Sequence, residues 1–260
     1  MSFHARNIHV SYGHHQALAG VSLHAKAGEV TAIVGPNGSG KSTLLGAMTA
    51  TLPYEGEVSL NGRSVAGQKP WELAAQRAVL PQASKLAFPF TVIEVVQIGL
   101  HAGTAGAQTD VPMHALARVG LSHYAHRNFQ DLSGGEAQRV MLARVLAQVW
   151  APVQAGTPRW LLLDEPVSSL DIAHQLQVID IARDFAARGG GVIAVMHDLN
   201  LTALFADKVA ILAAGKCLAV GTPTEVLQDD ILSRTYGCTL RVCAPPGDER
   251  PYILPHAASA

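Results

Sequence analysis

Residues 30–43, VTAIVGPNGSGKST, constrain this chain more than any other stretch. The first five form a short, nearly all-apolar run, as expected of a central strand covered on both faces. A glycine-spaced loop follows directly. It matches G-x-x-x-x-G-K-[ST] through Gly35, Gly40, Lys41 and Ser42, and an apolar helix pattern continues beyond it. Strand, loop and helix in that order are the context in which such a loop binds phosphate. Gly35, Gly38 and Gly40 permit turns that aim backbone N–H groups at the phosphates, with Pro36, Asn37 and Ser39 completing the cradle. Lys41 carries a mobile positive charge toward the β- and γ-phosphates, Ser42 offers a hydroxyl to Mg²⁺, and Thr43 reaches the α-phosphate side.

Two more segments follow. LSGGEAQR at 132–139 sets Ser133 and Glu136 at capping-box spacing, so Gly134 and Gly135 open a helix whose dipole favours an anion. Taken alone, that spacing marks only a cap. LLLDEP at 161–166 ends an apolar strand on Asp164 and Glu165. Neighbouring strand residues point to opposite sides, which gives the two acids different jobs.

Periodicity places the remaining elements. Ile8, Val10 and Tyr12 alternate with Asn7, His9 and Ser11 as a half-buried strand, VSL at 21–23 continues the pattern, and Gly28 turns the chain. Residues 57–60 before Asn61-Gly62 predict a hairpin. Thr91 and Glu94 predict a capped helix, residues 101–110 a loop, and Asp110 the cap of a helix reaching Gly120. Leu142, Val145, Leu146 and Val149 give the helix after LSGGE an apolar face. A helix from Asp171 to Arg188, a strand at 192–196 ending at His197, a hairpin over 209–220 and a short helix from Thr222 complete the pattern. The fold class expected is α/β: residues 1–240 form one domain with a helical lobe over about 83–145 inserted in its core, and 241–260 are a tail. Residues 150–159, WAPVQAGTPR, are expected as a surface loop.

The three motifs in this order, with LSGGE between the other two, resemble the ATP-binding-cassette (ABC) ATPases over nearly the whole chain. The resemblance implies a RecA-like P-loop core with an antiparallel β portion and an inserted helical lobe. It also implies Mg²⁺-dependent ATP hydrolysis, with Glu165 as general base, Asp164 on Mg²⁺, and Lys41 on the phosphates. Tyr12 matches the aromatic that stacks on adenine. Gln82 matches the glutamine that contacts Mg²⁺ and the lytic water, and His197 the histidine at the γ-phosphate. Ser133, Gly134, Gly135 and Glu136 match the segment that binds ATP held by a second subunit. Asp171 matches the aspartate that links two sites across a dimer, and equally serves as a helix N-cap.

TVIEVVQIGLHA, AVLPQ and HDLNLTALFADKVAIL resemble the iron-chelate, cobalamin and haem importers, and SGGEAQRV with the 150–159 insertion leans toward haem. The expected assembly is a homodimer under a two-subunit permease, with a periplasmic binding protein engaged indirectly. The alternatives are a ferric-siderophore or cobalamin importer, or a soluble iron–sulfur-assembly ATPase.

Composition adds exclusions. A net charge of −1 gives no electrostatic case for nucleic acid. No uncharged apolar stretch approaches the roughly 20 residues of a membrane helix, and residues 1–10 lack a secretory apolar region. These features predict a cytoplasmic protein, and the resemblance to importers implies a peripheral place on the cytoplasmic face of a bacterial inner membrane. Three widely spaced cysteines read as reduced thiols, and His14-His15 and His123/His126 as solvated residues.

Overall fold

The computed structural model describes residues 1–82, 88–103 and 109–243. The chain opens with strands β1 (Ser2–Tyr12), β2 (His15–Lys26) and β3 (Val30–Val34), then helix α1 (Lys41–Met48). Next come β4 (Glu55–Leu60), β5 (Arg63–Ser64), α2 (Pro70–Gln76) and β6 (Arg77–Leu80). Three helices follow: α3 (Val92–Ala102), α4 (Val111–Arg118) and α5 (Gly134–Gln148). The core resumes with β7 (Val153–Gln154), β8 (Thr157–Pro158), β9 (Trp160–Asp164), α6 (Ile172–Ala187) and β10 (Gly191–Val195). The last elements are α7 (Leu199–Phe205), β11 (Lys208–Ala213), β12 (Lys216–Gly221), α8 (Pro223–Val226) and α9 (Asp229–Tyr236).

Among the described residues the main sheet runs β12-β11-β3-β10-β9-β6, with β12 alone antiparallel to its neighbour. Both of its faces are covered, which explains why its strands are apolar throughout. Val30, Ala32, Val34, Leu161, Leu163, Val192 and Ala194 pack toward α3 to α7. Ile33, Trp160, Leu162, Ile193 and Val195 pack toward α1 and the antiparallel sheet. Because β3, β9 and β10 are parallel neighbours or nearly so, their carboxyl ends emerge at one edge. Gly35, Asp164-Glu165 and His197 are therefore brought together by topology.

The second sheet is β2-β1-β4-β5, antiparallel. The alternation read over residues 7–12 does not extend to the start of β1: Phe3 and Ala5 are buried, and so are Ile8 and Val10. Pairing with β2 slips between Ala5 and Ile8, where Asn7 has φ 50°. This bulge shifts the inward positions from odd to even numbers.

The helices show how capping and close approach cooperate. Thr91 N–H donates to Glu94 at 2.7 Å, as its capping box predicts. α3 crosses α5 so closely that a Cβ at Gly99 would lie 2.0 Å from the Arg144 carbonyl oxygen. Asp110 departs from expectation. It holds the N-cap position of α4, but its side chain makes no cap bond and lies 3.5 Å from the His114 ring instead. An i,i+4 histidine on the exposed helix face offers a competing partner.

Residues 150–159 are also not a simple loop. β7 and β8 pair across Ala155 (φ 47°) and Gly156 (φ 75°), the conformation of a two-residue hairpin turn. Asn61 Nδ2 donates to the Pro158 carbonyl at 2.9 Å, and Trp160 Nε1 donates to Asn61 Oδ1 at 3.2 Å. The hairpin is thereby tied to the β4–β5 turn. α9 was not legible as a helix, and residues 240–242 fold back over it through Leu240 N–H to Ser233 Oγ and Val242 N–H to Asp229 Oδ1. The remainder of the tail, from residue 244, lies outside the described residues.

Candidate functional site

A cleft of about 610 Å³ opens at the carboxyl edge of the main sheet. It is lined by Tyr12, His15, Ala17, Asn37, Gly38, Gly40, Lys41, Ser42, Thr43, Gln82, Glu165 and His197. The loop between β3 and α1 forms its floor. Gly40 has φ 100°, and a Cβ there would meet Leu18 Cδ2 at 2.7 Å and the Ala17 carbonyl at 2.9 Å. Only glycine fits both the left-handed backbone and the approach of β2. Lys41 curls back over the loop, its Nζ donating to the carbonyls of Gly35 at 2.9 Å and Pro36 at 3.0 Å. Burial pushes its ammonium pKa down, while Glu165 and Asp164 pull it the other way.

The two acids at the end of β9 separate as their alternation requires. Asp164 Oδ1 accepts from Ser42 Oγ at 3.1 Å, under the loop. Burial pushes the Asp164 carboxyl above the usual carboxylate range, and the Ser42 bond opposes that. Glu165 turns the other way. Its Oε2 accepts from Gln82 Nε2 at 2.9 Å, and its Oε1 lies 2.5 Å from His197 Nε2. The backbone at Glu165 is left-handed, φ 51°, and its N–H donates to the Val195 carbonyl at 3.1 Å. Each oxygen of this carboxylate is thus held by a side chain from a different segment of the chain.

Ser133 and Glu136 form the predicted capping box, with Ser133 N–H donating to Glu136 Oε2 at 2.8 Å and Glu136 N–H to Ser133 Oγ at 3.3 Å. The Ser133 hydroxyl, then its N–H and Tyr124, pull the Glu136 carboxyl down to about 2. Ser133, Gly134, Gly135 and Glu136 do not line the cleft of their own chain. Asp171 caps α6, accepting from His174 N–H at 2.9 Å, and lies 2.8 Å from the His174 ring.

Tyr12, Asn37, Gly38, Gly40, Lys41, Ser42, Thr43, Gln82, Glu165 and His197, named from the sequence, line this cleft, whereas His15 and Ala17 in its lining and Gln138 and Ser168 behind Glu165 were not foreseen. His15 enters because it pairs with Tyr12 across the β1–β2 turn. Gln138 and Ser168 reach the Glu165 carbonyl from α5 and from the turn after β9, at 3.1 and 3.2 Å. Gln138 lies within the LSGGEAQR segment, so its place in that motif was the available signal.

The model for the ABC transporter family matches residues 18–168, more than half of the chain. The chain belongs to the ABC transporter family. Among its relatives in that family, the hemin import ATP-binding protein HmuV of Roseobacter denitrificans is 61% identical over 259 residues, covering 100% of this chain and 99% of the relative. The protein of the same name from Jannaschia sp. is 63% identical, covering 97% and 93%. An ATP-binding cassette of an ABC transporter, solved in its ADP conformation, superimposes with a TM-score of 0.76 at 26% identity, covering 91% of this chain and 98% of that one. The chain is thus a nucleotide-binding, ATP-hydrolysing ABC subunit that works with a membrane permease. Among the described residues no helix is long and apolar enough to cross a membrane.

Proposed function

We propose that this ABC subunit energises haem import. It acts as a homodimer with two ATP molecules between the subunits, docked under a two-subunit permease on the cytoplasmic face of a bacterial inner membrane. A periplasmic binding protein delivers cargo from the other side. The observation that carries the cargo is the 61% and 63% identity, over nearly the whole chain, to proteins named for hemin import.

The chemistry follows from the cleft. Tyr12, half exposed at the mouth, stacks on the adenine. Gly35 to Thr43 wrap the phosphates, and Lys41 exchanges its two loop carbonyls for phosphate oxygens. Glu165 is the general base; Gln82 and His197 hold one carboxylate oxygen each, and His197 also meets the γ-phosphate. Ser42 and Asp164 supply hard oxygen donors side by side, a donor set that suits Mg²⁺ with the nucleotide completing its shell. Gln82 would join Ser42 and Asp164 in holding Mg²⁺, which would supply charge neutralisation at the phosphates.

The N-terminus of α5, with Ser133, Gly134, Gly135 and Glu136, binds the ATP of the partner subunit. A helix of 15 residues opening on a glycine pair favours phosphate there through its dipole. Asp171 both caps α6 and faces the partner. We read residues 1–240 as the nucleotide-binding domain, with the lobe over about 83–145 transmitting closure to the permease near Gln82.

Reconstitution with the cognate permease and binding protein in liposomes tests the cargo. Haem is expected to stimulate ATP hydrolysis and accumulate inside. Stimulation by a ferric siderophore or cobalamin, with none by haem, would overturn the cargo while leaving the ABC assignment untouched.

A further inference from the structure

Glu165 sits at a backbone geometry that an L-residue adopts at a cost. With φ 51° it is in the left-handed region, where a glutamate persists only when its surroundings hold it. Its N–H is engaged by β10 and its side chain by Gln82 and His197. The third handle is its carbonyl oxygen. Gln138 Nε2 donates to it at 3.1 Å from the second turn of α5, across the gap between the helical layer and the sheet.

The surroundings make this contact specific. Gln138 Oε1 is buried without a hydrogen-bond partner among the described residues. Flipping the amide would set Oε1 against the Glu165 carbonyl and leave two acceptors facing each other, so the donor orientation is the favoured one. A cavity of 190 Å³ beside it is lined by Pro81, Gln82, Gly134 and Ser169, room enough for a water on Oε1. α5 reaches this position because Gly135 packs on the turn after β9; a Cβ there would already lie 3.2 Å from the Ser169 carbonyl.

We infer that Gln138 is a positioning residue for hydrolysis: its amide, carried on the helix that begins with Ser133, holds the Glu165 peptide in its left-handed turn and so keeps the carboxylate between Gln82 and His197. The inference rests on the reading of Glu165 as general base. Gln138 does not line the nucleotide cleft, and it acts only through that peptide. Because Ser133 and Gln138 share one rigid helix, engagement of the partner's ATP at its start bears directly on the base of its own subunit.

The test compares Gln138→Leu and Gln138→Glu, both close in size and both without the N–H donor, in the intact complex with its permease. Each is expected to lower kcat roughly 10- to 100-fold, the scale of a misplaced catalytic group, with KM and ATP affinity unchanged. Combined with Glu165→Gln, neither should lower single-turnover hydrolysis further, since the step it serves is already lost. Wild-type kcat in both variants would overturn the inference. So would losses that multiply on the Glu165→Gln background, or loss of folding or nucleotide binding in both variants, which would make Gln138 a packing residue. An active Glu165→Gln enzyme would instead remove the base itself, a separate failure.

Discussion

At Asp164 stability and function oppose each other. Its carboxyl is half-buried beneath the phosphate loop, where burial disfavours the ionised form and raises its pKa from 3.8. A group whose folded pKa is raised contributes stability that is present below its unfolded value and lost as pH rises through the folded value. Above that folded value the nucleotide-free protein therefore carries an ionised Asp164 at a cost. Asp164→Asn keeps an acceptor for Ser42 Oγ and removes the charge. The variant is expected to melt higher than wild type at pH 7 without nucleotide, by a few degrees if the effect is about 1 kcal/mol. That advantage should shrink as pH falls through the raised folded pKa, where the wild-type carboxyl takes up its proton. Hydrolysis should be lost at all pH values. Thermal scans of both proteins at pH 4 and 7 check it, and equal melting at both would mean that the buried Asp164 charge carries no cost.

Between elements, close approach decides which small residues are replaceable. Gly99 lies inside α3, where alanine would ordinarily gain about 1 kcal/mol of helix propensity. Its added Cβ would sit 2.0 Å from the Arg144 backbone oxygen of α5, and backbone cannot move aside cheaply. The clash wins: Gly99→Ala is expected to destabilise by about 2 kcal/mol in denaturant unfolding. Gly67→Ala, with open space at the added carbon, should stay within about 0.5 kcal/mol of wild type.

That contrast also explains what was legible beforehand. Capping boxes at Thr91 and Ser133, the buried runs of β3, β9 and β10, and the turn at Asn61-Gly62 depend on neighbours a few residues apart, so a linear reading finds them. The parity change at Asn7, the hairpin tied to Asn61, and α9 depend on partners far along the chain. In the cleft, Lys41, Ser42, Asp164 and Glu165 announce themselves by motif. Gln138 shares the LSGGEAQR segment, but its contact is set by a peptide 27 residues away, which the segment alone does not reveal.

The whole molecule presents half a site twice. The cleft over the phosphate loop and the N-terminus of α5 belong to one chain, yet Ser133 to Glu136 do not line that cleft. A two-fold dimer, in which each chain offers both halves to its partner, would complete both sites at once. Two variants separate this arrangement from one acting within a single chain. Ser133→Arg leaves the phosphate loop intact but fills the α5 N-terminus with a bulky cation. Lys41→Ala leaves α5 intact and removes the loop charge. Either homodimer alone is expected to be nearly inactive. In a mixed dimer the intact loop of the first variant faces the intact α5 of the second, so one competent site is restored. At equal random mixing half the dimers are mixed, and roughly a quarter of wild-type sites should hydrolyse ATP. If α5 instead served its own loop, no chain in the mixture would hold both intact halves and no activity would return. Measuring ATPase against mixing ratio therefore decides between the two geometries. A maximum at equal proportions is the expected result, and a flat, inactive profile would rule the shared site out.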